Sequence, residues 1–126
     1  MRLSFSLPGV PRPKARPRVT QYGTYTPKLT KEYENAVQLF AGIALGAAPG
    51  WRSDGEFRVE CEFSFAKATL SDVDNLQKAV HDALEAAGVY DNDRQVVQTS
   101  AFKERGEDRT RVTVTRLGDA PARRKR

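Results

Sequence analysis

Between Ser71 and Val96 the chain reads SDVDNLQKAVHDALEAAGVYDNDRQV, and this stretch leaves few choices for what surrounds it. Leu76, Ala79, Val80, Ala83, Leu84 and Ala87 recur at helical spacing and make one apolar face. Asp74, Lys78, His81, Asp82 and Glu85 fall on the opposite side. A helix with a single apolar stripe needs another layer to cover it. Gly88 reads as its stop. Asp72 and Asp74 stand at the start, and Asp91 and Asp93 follow the stop. These carboxylates meet only if the chain after Gly88 folds back beside the helix start. They then form a cation site with Lys78 one turn from Asp74.

The remaining segments supply the missing layer. Phe57, Val59, Cys61, Phe63 and Phe65 alternate with Arg58, Glu60, Glu62 and Ser64, the pattern of a half-buried strand. Residues 66–71 form a loop that delivers Asp72 and Asp74 directly after it. Glu60 and Glu62 are minor candidates for a place near the acidic site. Leu3, Phe5 and Leu7 predict a first strand, ended by Pro8-Gly9. Gln21 to Tyr25 reads as a turn whose two aromatics either pack, the favoured reading, or stack on a base. Thr26 caps and Pro27 opens a helix over 27–46, in which Leu29, Tyr33, Val37, Phe40 and Ile43 or Ala44 recur at helical spacing. Residues 96–102 and 111–117 predict two more strands joined by a charged turn. The expected fold is α/β: a single domain over 1–117, with a mixed β-sheet of about four strands and two main helices packed on one face. A basic, disordered tail is expected over 118–126.

With 126 residues there is room for one domain. No apolar run approaches the roughly 18 residues that a membrane span requires, and the N-terminus lacks the apolar core of a signal peptide. The lone cysteine, Cys61, excludes an intramolecular disulfide and sits in the alternating series as a core residue. A cytoplasmic location is expected.

The net charge of +5 says less than its distribution. Residues 1–31 hold seven Lys/Arg and no acid, residues 54–93 ten acids against three bases, and residues 94–126 ten bases against four acids. An acidic centre between basic flanks predicts a cation held by carboxylates beside surfaces that attract a polyanion. In the first flank Pro11, Pro13 and Pro17 interleave with Arg12, Lys14, Arg16 and Arg18. Prolines at this density keep the backbone extended. The four cations are therefore expected to stand out as a stiff comb that tracks phosphates.

Hydrolysis of a phosphodiester needs an activated water and neutralisation of the charge that builds up on phosphorus. Mg²⁺ serves both needs and is held by a few carboxylates. Asp72 and Asp74, two apart at a strand-to-helix junction, can reach one ion, with Asp93 approaching from the turn after the helix. Lys78 can orient the attacking water, transfer a proton or stabilise negative charge. Asp82 and Asp91 are placed at the periphery. His81 reads as a surface or phosphate-facing residue. A purely structural role stands beside this: Asp74 and Gln77 have capping-box spacing, and aspartates at a helix start are common caps. On that view the chain is a non-catalytic DNA-binding module.

Asp72-Val73-Asp74-Asn75-Leu76-Gln77-Lys78, then Asp82-Ala83-Leu84, Gly88-Val89 and Asp93-Arg94-Gln95-Val96 resemble the RusA family of Holliday junction resolvases. Pro13-Lys14-Ala15-Arg16-Pro17-Arg18 matches that family's basic amino-terminal loop, and the resemblance spans roughly residues 3–117. It implies a homodimeric endodeoxyribonuclease, bacterial or phage-encoded, that nicks opposing strands of a four-way junction in DNA recombination and repair. It further implies Mg²⁺, with Mn²⁺ as a substitute, held by Asp72, Asp74 and Asp93, and Lys78 as base or charge stabiliser. Asn92 and the basic tail depart from closer relatives. A related metal-dependent nuclease for flaps or forks is the alternative.

Overall fold

The computed structural model describes residues 1–14, 18–20, 23–25 and 28–121, the two short segments as backbone only. The elements are β1 (Arg2–Pro8), β2 (Arg18–Thr20), β3 (Gly23–Tyr25), α1 (Lys28–Gly46), β4 (Glu56–Phe65), α2 (Val73–Ala86), a 3-10 turn (Asp93–Gln95), β5 (Val96–Arg105) and β6 (Arg109–Gly118). Four strands form one sheet in the order β1-β6-β4-β5. β4 and β5 run parallel, as strands joined by a crossover helix can, and the other pairs are antiparallel. The expected α/β domain with a four-stranded mixed sheet and two helices is what forms. β2 and β3 make a separate small hairpin where a turn alone was expected. Strands of three residues are too short for alternation to reveal them. The expected cap at Thr26 and Pro27 and the tail from Ala122 lie outside the described residues.

Alternation decides which face of the sheet is covered. Phe57, Val59, Cys61, Phe63 and Phe65 of β4 are buried, and the register sets Val112 and Val114 of β6 beside Cys61 and Val59. Leu3 and Leu7 of β1 continue the same face. α2 covers it with Leu76, Ala79, Val80, Ala83 and Leu84, and α1 with Tyr33, Val37 and Ala41. The intervening residues of β4 point the other way, where Arg111 meets Glu62 at 3.4 Å and Arg58 meets Glu60 at 3.2 Å. Glu60 and Glu62 are thus on the face away from α2. Their suggested place near the acidic site is corrected by the two-residue period of the strand.

Two buried groups register how tightly this core closes. Burial pushes the Cys61 thiol up to about 12, so at neutral pH it is an unreactive thiol among apolar side chains. The Tyr33 hydroxyl reaches across from α1 to bond Thr110 Oγ1 at 2.6 Å. Among the described residues, no helix is long and apolar enough to cross a membrane. Tyr33→Phe leaves the buried Thr110 hydroxyl without its partner and is expected to cost about 1–3 kcal/mol in urea unfolding. Adding Thr110→Val should recover part of that loss, because the pair then becomes apolar on both sides.

Candidate active site

The site grows from the two ends of α2. Asp72 is the N-cap, with extended backbone at φ −73° and ψ 140° and no bond from its carboxylate to the first turn. Its carbonyl accepts the first helical bond, from the Leu76 N–H at 3.1 Å. The expected pairing of Asp74 with Gln77 as a capping box does not form, because Asp74 is inside the first turn and not at the cap. The Gln77 amide donates instead to Thr99 Oγ1 on β5 and lies 3.4 Å from His81 Nε2. Asp74, Lys78 and Asp82 follow one another in steps of four and so share one face.

At the other end the chain reverses. Gly88 takes φ +84°, and its N–H bonds to Glu85 O while the Val89 N–H bonds to Leu84 O, both at 3.0 Å. This is a Schellman stop, and a side chain at Gly88 would be strained there. Val89 and Tyr90 then bury completely, and the Tyr90 hydroxyl donates to His81 O at 2.9 Å. The chain is thereby bound to the helix it has just left.

Asp93 is placed by its neighbours. Asn92 caps the 3-10 turn by accepting from the Arg94 N–H at 2.8 Å. Gln95 Oε1 accepts from the N–H groups of Asp91 and Asn92 at 2.8 and 2.7 Å, closing a capping box. The other end of the same amide donates to Ser53 O at 2.8 Å and Gly55 O at 3.1 Å. Glu85 Oε1 accepts from the Asp93 N–H at 2.8 Å. Asn92, Gln95 and Glu85 are positioning residues, a role the sequence reading did not give them. Asn-x-x-Gln is itself a capping-box pattern and was the available signal.

Asp74, Gln77, Lys78, His81, Asp82, Asp93 and Thr99 line one hollow of about 300 Å³. Four of the residues singled out from sequence thus share a wall: Asp74, Lys78, Asp82 and Asp93. Asp72 stands exposed at the helix start, and Asp91 is exposed beside the 3-10 turn; neither lines the hollow. Among the described residues no three carboxylate, imidazole or thiol groups stand close enough to enclose a metal ion. Burial holds the His81 imidazole below its usual 6.5 against the opposing pull of Asp82 and Asp93, with Lys78 lowering it further. It faces the hollow as a neutral ring at neutral pH.

The basic segment is less of a comb than its composition implies. The Lys14 ammonium lies 2.8 Å from Glu34 of α1 and 3.2 Å from Asp82 of α2. The hydrogen bond to Glu34 raises its pKa above 10.5, with partial burial opposing and Asp82 adding to the rise. The Lys14 N–H also donates to Asn75 O at 2.8 Å, so the segment is tied to the start of α2. Arg12 lines a second hollow with Lys67 and Asp108. Arg16 and the Arg18 side chain lie outside the described residues.

Gln95→Ala frees four backbone groups at once. It is expected to lower stability by about 2 kcal/mol and to speed amide hydrogen exchange at Asp91 and Asn92. Protection there equal to wild type would show that the amide does not hold the turn.

A family model described as endodeoxyribonuclease RusA matches residues 8–115 of the 126. No curated protein matches the chain.

Proposed function

Since the chain belongs to the endodeoxyribonuclease RusA family, we propose that it resolves Holliday junctions by paired, Mg²⁺-dependent nicks in DNA recombination and repair, acting as a homodimer. The observation that carries this reading is the shared hollow of Asp74, Lys78, Asp82 and Asp93 on α2 and the turn after it. Two symmetric nicks call for two sites related by the axis of the junction, which a twofold dimer supplies.

The donors suit a hard cation: carboxylates without thiolate, beside a polar hollow. Mg²⁺, or Mn²⁺ in its place, supplies an acidified water and offsets charge on the phosphate under attack. Asp74 and Asp93 are proposed to hold it, with Asp72 contributing from the helix start. With no three-residue cage among the described residues, protein carboxylates would share the ion with water and the phosphate itself, the usual arrangement for Mg²⁺. Lys78 presents its ammonium to the developing negative charge. Asp82 keeps Lys14 and is assigned to position the basic segment. Gln77 and His81 complete the wall as neutral hydrogen-bonding groups.

Asp74→Asn preserves shape but removes a ligand charge. It should cut a synthetic four-way junction orders of magnitude more slowly in Mg²⁺, while binding it as well as wild type or better. The fold should lose only about 0.5 kcal/mol, the worth of one acidic residue in a first helical turn. Cleavage at the wild-type rate with an unchanged Tm would sink the assignment.

Mn²⁺ affinity gives a second check that does not depend on turnover. If the ion is shared with DNA, Asp74→Asn protein and wild type should both bind Mn²⁺ weakly alone. Wild type should bind it markedly tighter once a junction is present. Tight binding to the free protein would contradict a shared site.

A further inference from the structure

The loop between β4 and α2 ends in an unusual display. Leu70 is 101% exposed, the most exposed of the large apolar residues described. It sits two residues before Asp72 and four before Asp74, which lines the acidic hollow. The loop that carries it is braced at both ends. Ala66 N–H donates to Asp108 Oδ1 and Ala66 O accepts from the Arg105 guanidinium, both at 2.9 Å. Ser71 O accepts from the Lys103 ammonium at 2.9 Å, and the Ser71 N–H bonds to Thr69 Oγ1 at 3.1 Å. Leu70 itself is held out by a stalk fixed on either side.

The surroundings of the stalk say what it meets. Lys67, Lys103 and Arg105 line the hollow on one side of the loop, with Glu104 among them. Arg12 and Lys67 line the hollow on the other, with Asp108, whose carboxylate is bonded to Ala66. Four cations along the loop that displays a bare leucine are poorly matched to an apolar protein surface. They match DNA, where phosphates lie outside and apolar base faces lie within. An apolar side chain entering between base steps gains burial, and the step opens most easily where stacking is already interrupted.

We propose that Leu70 is a wedge that enters the base stack at the branch point, while Arg12, Lys67, Lys103 and Arg105 around its stalk take the flanking phosphates. This rests on the branched-DNA reading above and adds how the branch is recognised. The wedge and the acidic hollow are on one continuous segment, so seating Leu70 at the branch sets which phosphate reaches Asp74.

The test uses the full chain in EDTA and a synthetic four-way junction carrying 2-aminopurine beside the branch point, with linear duplex of matched sequence as control. Wild type should raise the 2-aminopurine fluorescence as the base unstacks. Leu70→Ala should lose that rise, and its junction-to-duplex affinity ratio should fall about tenfold, as expected from losing burial of one leucine. Leu70→Met, still long and apolar, should keep both. The side chain is outside the core, so melting temperatures should agree among the three. Lys67→Ala should instead lower the salt slope of log affinity by about one for junction and duplex alike. A Leu70→Ala protein with wild-type fluorescence and affinity ratio overturns the wedge alone. A sedimentation mass that falls in Leu70→Ala along with the fluorescence would make Leu70 a contact between copies and overturn it too. Wild type with no preference for junction over duplex would overturn the branched-DNA reading and the wedge with it.

Discussion

Burial of one stripe of α2 against the sheet decides where every charge on that helix ends up. Leu76, Val80 and Leu84 are fully buried at steps of four. Asp74, Lys78 and Asp82 repeat at the same steps but two residues out of phase, roughly 200° around the helix. Once the leucines and valine are seated, the charged row has to face outward beside β5. The polar row needs no interaction of its own to be aligned. Burying Leu76 and Leu84 contributes about 1.5–3 kcal/mol each, more than any exposed ion pair in the molecule offers.

Periodic features carried through from sequence to structure because they are local. The two-residue alternation of β4 and the helical stripe of α2 each depend on neighbours within a few positions. So does the glycine stop at Gly88, whose positive φ is a property of the turn itself. What the sequence did not disclose is who pairs with whom over long separations. Lys14 looks like one more tooth of a basic comb until α1 brings Glu34 to it and α2 brings Asp82. Gln95 looks like an ordinary polar residue until its amide is found spanning two loops, one of them 42 positions earlier. Glu60 and Glu62 looked close to the acidic cluster along the chain, yet a strand sends alternate residues to opposite faces. The hollow joining Asp74 to Asp93 follows from a fold-back after Gly88, the condition the sequence set for the carboxylates to meet, and Asp91 stays outside it, at the periphery where the sequence put it.

The acidic and basic parts of the chain are interlocked, not merely adjacent. One cation of the basic segment is spent inside, where it ties the amino-terminal loop to both helices. Among the described residues, the cations that line the hollows beside the β4–α2 loop come from three separate places: Arg12, the loop itself, and β5. An electrostatic surface assembled this way cannot be read from runs of like charge. It is a product of topology, with β5 brought beside the β4–α2 loop by the parallel pairing.

The sheet order has a consequence for how the molecule is made. β6 is the last strand among the described residues, yet it lies between β1 and β4 and bonds to both. A ribosome releases β1 first, and that strand has no partner in the large sheet until residues 109–118 have emerged. The β4–α2–β5 unit that carries the acidic hollow is complete sooner, but one edge of β4 stays bare through the same interval. Synthesis that stops short of β6 therefore leaves two unpaired strand edges of alternating apolar sequence, the surfaces from which chains most readily aggregate. The carboxy-terminal strand acts as the bolt of the fold, and the acidic hollow is secured only when that bolt slides home.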